Sequence, residues 1–532
     1  MGCWARLPAE IRLMVLENVA EDYRYKSEPH ARAGYAIVCQ EWRAFFEPRN
    51  FQRLVLDQDR ISDFELFLGR ESPRSHRQEY VRHVVLRIRL GEYTCAVCKS
   101  KEDGRTVRRN NMAFSNAVWN LLIILSRWNP GHKGLTLELG AYSPSDSKHT
   151  FKDFRLEPNY PYQVPKDLDK RFESYKLRIR EVGQLGLDST SNDPYHGWVG
   201  GLQEASSVGL GAKQRIMGTL SLATNRRGFS ALPRVEFVTG LLIRRQLYRA
   251  FSGKALARLL SESFPCLRRF RHEGWRNVDP SIQLRSEKDY ECLILQSLPN
   301  TLRTLHVFED SNKLLHSQHP PKAPNMSLGR ALSRSSRFLE TLSVAFLVDA
   351  EDFLTEFWPT KPLPTNVLPW ENLRRLALTS RLLHPSRMAR GDLGNLLVAA
   401  GRAASFMPKL VSMEIWNGGE GNACIFRYRN AAGERPRIIL STNWGSHVEL
   451  DYDVIQCWAN MPRHGQHLIA EVIPLPLRRN VMRTYAHIIH HLKLRYDVLD
   501  PISHYQVYWE NEQLRLEEKA ARARHRHELI LS

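Results

Sequence analysis

One short phrase recurs along this chain at nearly constant spacing, and it limits the fold more than any other feature. Its form is apolar-x-x-apolar, often followed two residues later by another apolar residue. It occurs as "VEFV" at Val235, "LRRF" at Leu267, "LRTLHV" at Leu302, "LETLSV" at Leu339, "LRRLAL" at Leu373 and "LVSMEI" at Leu410. The separations are 32, 35, 37, 34 and 37 residues, and Pro233, Pro265, Pro299 and Pro408 stand just ahead of four of the phrases. Between them lie helical patterns such as "GKALARLLSESF", "DYECLILQSL", "SLGRALSRSS" and "GDLGNLLVAAGRAASFM". A short strand, a loop and a helix repeated at this period form a unit that buries its apolar side only by stacking on its neighbours.

The same phrase precedes the array as "FQRLVL" at Phe51 and "VRHVVL" at Val81, with a looser strand "GLTLEL" at Gly134 after the amphipathic "NNMAFSNAVWNLLIILSRW". The body resembles the irregular leucine-rich repeats. A Gly/Ser-rich stretch, Val182 to Ala212, interrupts it and reads as a flexible insertion. The "GLGAK" inside that stretch lacks the spacing of a phosphate loop. In a stack of this kind, strand side chains alternate between core and an open face. That alternation predicts Arg269, Arg271, Thr304, His306, Thr341, Ser343 and Arg375 on the open face, a basic and hydroxyl-rich surface suited to an acidic or phosphorylated protein segment.

The first fifty residues differ from the rest. "LPAEIRLMVLENVA" starts with Pro8 at a helix entry and Glu10 in the first turn. Its apolar residues form two stripes, one with Ile11, Met14, Val15 and Val19 and one with Leu13, Leu16 and Ala20, so the helix needs two surfaces to cover it. Further on, Ala31, Tyr35, Val38, Trp42 and Phe45 recur as one helical face, and Cys39 beside it is expected to pack as a small hydrophobe. Leu7, Pro8, Glu10, Ile11, Val15 and Leu16, followed by "VCQEW" at Val38 to Trp42, resemble an F-box, in the style of filamentous-fungal F-box proteins. The resemblance covers about 50 of the 532 residues. It implies docking of a Skp-type adaptor, and through it a cullin scaffold, by Leu7, Pro8, Ile11, Val15, Leu16, Val38, Cys39 and Trp42. The ubiquitin transfer itself would be performed by other subunits.

After "WNGGEGN" the pattern changes. "ACIFRYRN" and "RPRIILSTNW" read as paired strands, "DYDVIQCWANM" as a helix, "LIAEVIPLP" as a strand, and the last two segments as helices. The expected class is thus α/β (α+β): a helical F-box over 1–50, a repeat-like segment over 51–181, the insertion over 182–212, a leucine-rich-repeat-like solenoid over 213–416 and an α+β cap over 417–532.

Charge and cysteines narrow the chemistry. The net charge of +19 favours acidic partners, but the 76 basic residues are scattered, so nucleic acid is the alternative partner and a protein substrate the leading one. That alternative is a basic nucleic-acid-binding or scaffold protein working outside a ubiquitin ligase. Eight irregularly spaced cysteines read as reduced thiols of an intracellular protein, cytoplasmic or nuclear. Arg6 stands where a myristoylation motif wants Ser or Thr, no leader pattern opens the sequence, and the apolar run Ala117 to Leu125 is too short for a bilayer. Cys95 and Cys98 form a lone CxxC with no second pair at finger spacing, so a turn bearing two thiols is expected there. His487, His490 and His491 fit a half-buried helix. No catalytic motif, metal ligand set or cofactor is predicted, and the expected role is a non-catalytic receptor.

Overall fold

Each of the nine phrases becomes a strand, and seven of those strands begin two residues after the leading apolar residue. The leading residue itself closes a tight turn. The amides of Leu267, Leu302, Leu339, Leu373 and Leu410 donate to carbonyls three residues back, and these leucines are at most 2% exposed. The phrase therefore encodes a turn with a buried plug and then a strand.

The computed structural model describes residues 3–21, 29–72, 75–128, 131, 133–152, 193–199, 202–203, 207–223, 231–316, 322–365, 367–386, 391–444, 448–461, 468–508, 510–511 and 514. It is a mixed α/β structure built on one twelve-stranded, mostly parallel sheet. The strands are β1 (Arg53–Asp57), β2 (His83–Arg89), β3 (Leu135–Tyr142), β4 (Val238–Ile243), β5 (Arg269–Trp275), β6 (Thr304–Asp310), β7 (Thr341–Asp349), β8 (Arg375–Thr379), β9 (Ser412–Gly419), β10 (Asn422–Arg429), β11 (Arg437–Thr442) and β12 (Ile469–Pro474). They lie side by side in chain order. The pairs β9–β10 and β10–β11 are antiparallel and the other pairs parallel. The sheet runs through the expected 416/417 boundary without a break.

Register fixes the two faces, because alternate residues of a strand point to opposite sides. One row passes from Val84 through Leu137, Leu241, Phe270, Leu305, Leu342, Leu376, Met413 and Tyr428 to Ile438. Every member is at most 1% exposed, in the core that the connecting helices share. The helix Gly104–Ser126 supplies Phe114, Val118, Leu121, Leu122 and Leu125 to it. Several of these helices start on a side-chain cap, among them Asp103, Ser252, Asp279 and Asn325, each accepting from an amide of the first turn.

The opposite face is not open. Residues 475–508 fold back across it, and Phe308, Ala345, Ala377, Trp416 and Ile425 of the sheet pack against Leu475, Met482, Tyr485, Ile488, Ile489, Leu492 and Val498. The sequence pattern predicts that residues 417–532 close the end of the stack. Strands β10 to β12 do extend that end, whereas the chain beyond them covers the sheet's side. His487, His490 and His491 lie in this cover, in or at the end of the helix Ala486–His491, with His487 buried.

Two further expectations need adjustment. The face from Ala31 to Phe45 is not one helix: α1 (Ala9–Glu21) is followed by α2 (Pro29–Ala36) and α3 (Gln40–Phe51), with a break at Ile37 to Cys39. Within the expected insertion, residues 182–192, 200–201 and 204–206 lie outside the described residues. Its remaining parts include a turn at 193–199 and the start of a helix, Leu210–Ile216, whose Ala212 and Ile216 are buried. Among the described residues no helix is long and apolar enough to cross a membrane.

Candidate functional site

Among the described residues, three places carry side chains able to meet something outside the chain. The first is the N-terminal helical unit, which closes a small core of its own: Leu16 and Phe46 are buried among Trp4, Val19, Ala20, Tyr35, Trp42 and Phe45. The Trp4 indole N–H and the Arg12 guanidinium both donate to Glu41, each at 2.8 Å, which locks α1 against α3. With that core filled, a second apolar set stays outside. Ile11, Leu13 and Met14 on α1 are 42%, 47% and 57% exposed, and Ile37 and Val38 in the break are 77% and 60% exposed.

The residues expected to meet an adaptor divide accordingly. Pro8, Ile11, Val38 and Cys39 are exposed, and Leu7 and Val15 are half-buried. Leu16 is buried in the unit's core, and Trp42 is half-buried there, its ring 5.8 Å from that of Trp4 and 5.5 Å from that of Phe46. Those two hold the unit together from within. Cys39 does not pack as expected: it is exposed, at the residue before α3, because the helix breaks there.

The second place is the sheet face, where exposure was expected for seven side chains. Only Arg269 and Arg375 of the seven are exposed; Arg271 and Thr304 are half-buried, and His306, Thr341 and Ser343 are buried. The cover explains the difference. Arg375 pairs with Asp497 at 2.8 Å, and His306 lies 3.5 Å from that carboxylate. The Arg271 guanidinium also donates to the carbonyl of Tyr496. Glu414, fully buried, accepts from the amides of Lys493 and Leu494 at 3.1 and 2.9 Å. Further along the same face, Arg244 bridges Glu138 at 3.0 Å and Asp500 at 3.3 Å. Burial pushes the Glu138 carboxyl upward, but Arg244, His83 and Arg53 outweigh it and hold the group well below the ordinary carboxylate range. Of the seven residues read as a binding surface, Arg271, His306 and Arg375 instead meet the chain's own C-terminal region.

The third place was half visible in the sequence. Cys95 and Cys98 occupy a short turn after β2, and the fold brings His149 and His196 to them. The four donor atoms all lie within 4.8 Å of one another. His196 Nε2 is 3.2 Å from Cys95 Sγ and 3.6 Å from Cys98 Sγ, and its Nδ1 is 2.7 Å from the Asp193 carboxylate. Hydrogen bonds from Lys152 and His196 bring Asp193 down to about 2, so it is ionised at neutral pH. Burial, reinforced by Cys95, raises the Cys98 thiol. A shift in that direction is opposite to what an activated nucleophile requires. Only the CxxC shows in the sequence, because its partners lie 101 residues from Cys95 in one case and follow a different strand in the other. Neither histidine stands in a spacing pattern that points to the pair.

A family model described only as a family of unknown function (DUF6546) matches residues 297–500. The match begins in the turn before β6 and ends in the cover, so it spans the sheet's second half together with the segment folded over it. The helical unit and the Cys/His cluster lie outside it. No curated protein matches the chain.

Proposed function

We propose that this chain is the substrate-holding subunit of a Skp-cullin-F-box type ubiquitin ligase, with the N-terminal unit as an F-box and the sheet body as an irregular leucine-rich-repeat-like receptor. The supporting observation is the exposed apolar set on a unit whose own core is already filled. Ile11, Leu13, Met14, Ile37 and Val38 project from α1 and from the break before α3, where no helix among the described residues covers them. Exposed apolar residues recurring on one small unit fit protein docking. The repeated turn and strand, with connecting helices on one side of the sheet, support the repeat-like reading of the body. In this role the chain contributes proximity, holding a target lysine near a conjugating enzyme that other subunits bring.

The target surface on this reading is the edge where the strands begin. Arg268, Arg269, Arg303 and Arg374 are exposed there beside Arg375, which is already paired with Asp497, and they lie close together because the Arg303 amide donates to the Arg268 carbonyl and Arg374 and Arg303 both bond to the backbone of Glu340. A basic ridge of this kind favours an acidic protein segment.

The test is adaptor capture by the full-length chain. Ile11→Asp with Val38→Asp alters two exposed side chains and leaves the Leu16 and Phe46 core intact, so the fold should persist. Capture of a Skp-type adaptor should fall about 30-fold or more if these are central contacts. Wild-type protein that fails to bind the adaptor, or a variant that binds it equally well, would overturn the reading. Binding to nucleic acid instead, with a steep loss on adding salt, would favour the alternative of a basic nucleic-acid-binding protein.

A further inference from the structure

We infer that Cys95, Cys98, His149 and His196 form a structural zinc site that clips together three loops at one end of β2 and β3. The donor set is two thiols and two imidazoles, the chemistry that selects zinc over harder cations. Their convergence is geometric. In a tetrahedral site with zinc–sulfur near 2.3 Å and zinc–nitrogen near 2.0–2.1 Å, neighbouring ligand atoms stand roughly 3.3–3.8 Å apart. The two sulfurs lie 3.2 and 3.6 Å from His196 Nε2, and all four donors fall within 4.8 Å of one another. Small closures would complete the tetrahedron.

The surroundings of His196 are those of a metal ligand. A ligating histidine commonly donates its other ring N–H to a carboxylate, which fixes the tautomer and aims the free lone pair at the metal. His196 does this through Nδ1 to Asp193 at 2.7 Å, leaving Nε2 directed at both thiols. Asp193 is held in turn by Lys152 at 2.7 Å. A hydrogen-bonded thiol pair alone would not need the second histidine, whose ring centroid lies 5.2 Å from that of His196.

Four protein ligands make a closed site, so the role assigned is structural. The ligands come from three separated segments: the turn Cys95–Val97, the residue after the turn Asp146–Lys148, and the turn Pro194–His196. His149 and His196 stand 47 residues apart in the sequence, between β3 and β4. The Trp198 indole N–H bonds to the Thr150 carbonyl at 3.0 Å beside them, so the described residues around each histidine meet at one point. A metal there offsets the entropy of bringing these two segments together.

Elemental analysis of full-length protein, purified under reducing conditions with zinc supplied, should find one zinc per chain. Cobalt exchanged into the wild type should give thiolate-to-metal charge transfer and the strong visible bands of a tetrahedral site. That spectrum requires no variant, so it stands even if substitutions disturb folding. Cys95→Ser with Cys98→Ser should lose the metal, and His196→Asn should weaken retention. Chelating the wild type should speed amide exchange at residues 95–98, 146–149 and 193–198 by about tenfold or more, with the strands of the sheet unchanged. Metal-free wild type, a Cys95–Cys98 disulfide in its place, an octahedral cobalt spectrum, or zinc content unchanged in the double-serine variant would each overturn the assignment.

Discussion

Arg245 and Asp310 meet where neither side chain is more than 1% exposed, and each draws in a partner from the C-terminal region, Glu510 and Tyr485. Arg245 reaches Glu510 through two N–H groups at 3.0 and 2.8 Å, while the Tyr485 hydroxyl donates to Asp310. Four chain segments thus converge on one buried pair. Removing one member strands the other, and an uncompensated buried charge is more costly than the pair is favourable. Arg245→Met should therefore destabilise the protein by about 3–5 kcal/mol, read as a lower denaturation midpoint. Adding Asp310→Asn should recover part of the loss, since the charge left behind is then gone. A single variant as stable as wild type would mean that solvent reaches Asp310. None of this pairing is legible in sequence, where Arg245 and Asp310 stand in unrelated repeats 65 residues apart. The zinc ligands were hidden for the same reason: side-chain convergence across non-local segments leaves no local pattern, although the CxxC half of that cluster does.

At the scale of elements, strands β5 to β9 were readable because each is announced by a buried plug residue that closes a turn and by an alternating run, all within six residues. The helices were readable from their apolar stripes. The cover was not, because between the apolar strand residues it buries stand polar ones that it also touches, Arg271, His306 and Glu414, and such polar residues read as a solvated face. Their partners lie far downstream: the Tyr496 carbonyl for Arg271, the Asp497 carboxylate near His306, and the amides of Lys493 and Leu494 for Glu414, the last two 79 and 80 residues away. This cover is also where acid should act first. His504, 1% exposed, has its pKa brought down to about 3 by burial and by the neighbouring charges of His490, Arg495 and His487. The unfolded chain takes up that proton near pH 6.5. Its folded pKa being the lower one, the stabilisation is complete above about pH 6.5 and is lost as pH falls from there toward 3. At pH 5 the loss from this one group is about 2 kcal/mol. Hydrogen exchange of residues 475–508 should accelerate between pH 7.5 and pH 5 after correction for the intrinsic rate, and His504→Gln should reduce that dependence. His272, shifted down to about 4 by burial, adds in the same direction, so some dependence should remain in the variant. Exchange that is pH-independent after correction would count against the buried neutral state.

For the whole molecule, the sheet needs two covers, and they are built differently. The helix side is assembled unit by unit, each connecting helix packing beside its own strands. The other side is closed once, by a single late segment that runs back from β12 to the strands of the first half. This makes the last part of the chain structurally indispensable rather than an appendage. Ending the chain after Pro474 would bare Phe308, Ala345, Ala377, Trp416 and Ile425, each at most 1% exposed in the intact protein. At about 1.5–3 kcal/mol for burying a large apolar side chain, Phe308, Trp416 and Ile425 alone represent roughly 5–9 kcal/mol, within the range of a whole domain's stability of about 5–15 kcal/mol. The same cut strips Glu273 of its bonds from Ser503 and the Asp500 amide, and Glu414 of two backbone donors, while both carboxylates stay within the sheet. The truncated chain should therefore bind a hydrophobic dye strongly, lose its cooperative thermal transition and aggregate, whatever the state of the N-terminal unit. Ile11→Asp with Val38→Asp in the full-length chain should do none of these, because those side chains touch neither core. A truncated protein that melts cooperatively within a few degrees of the intact one would mean that the helix side alone carries the fold.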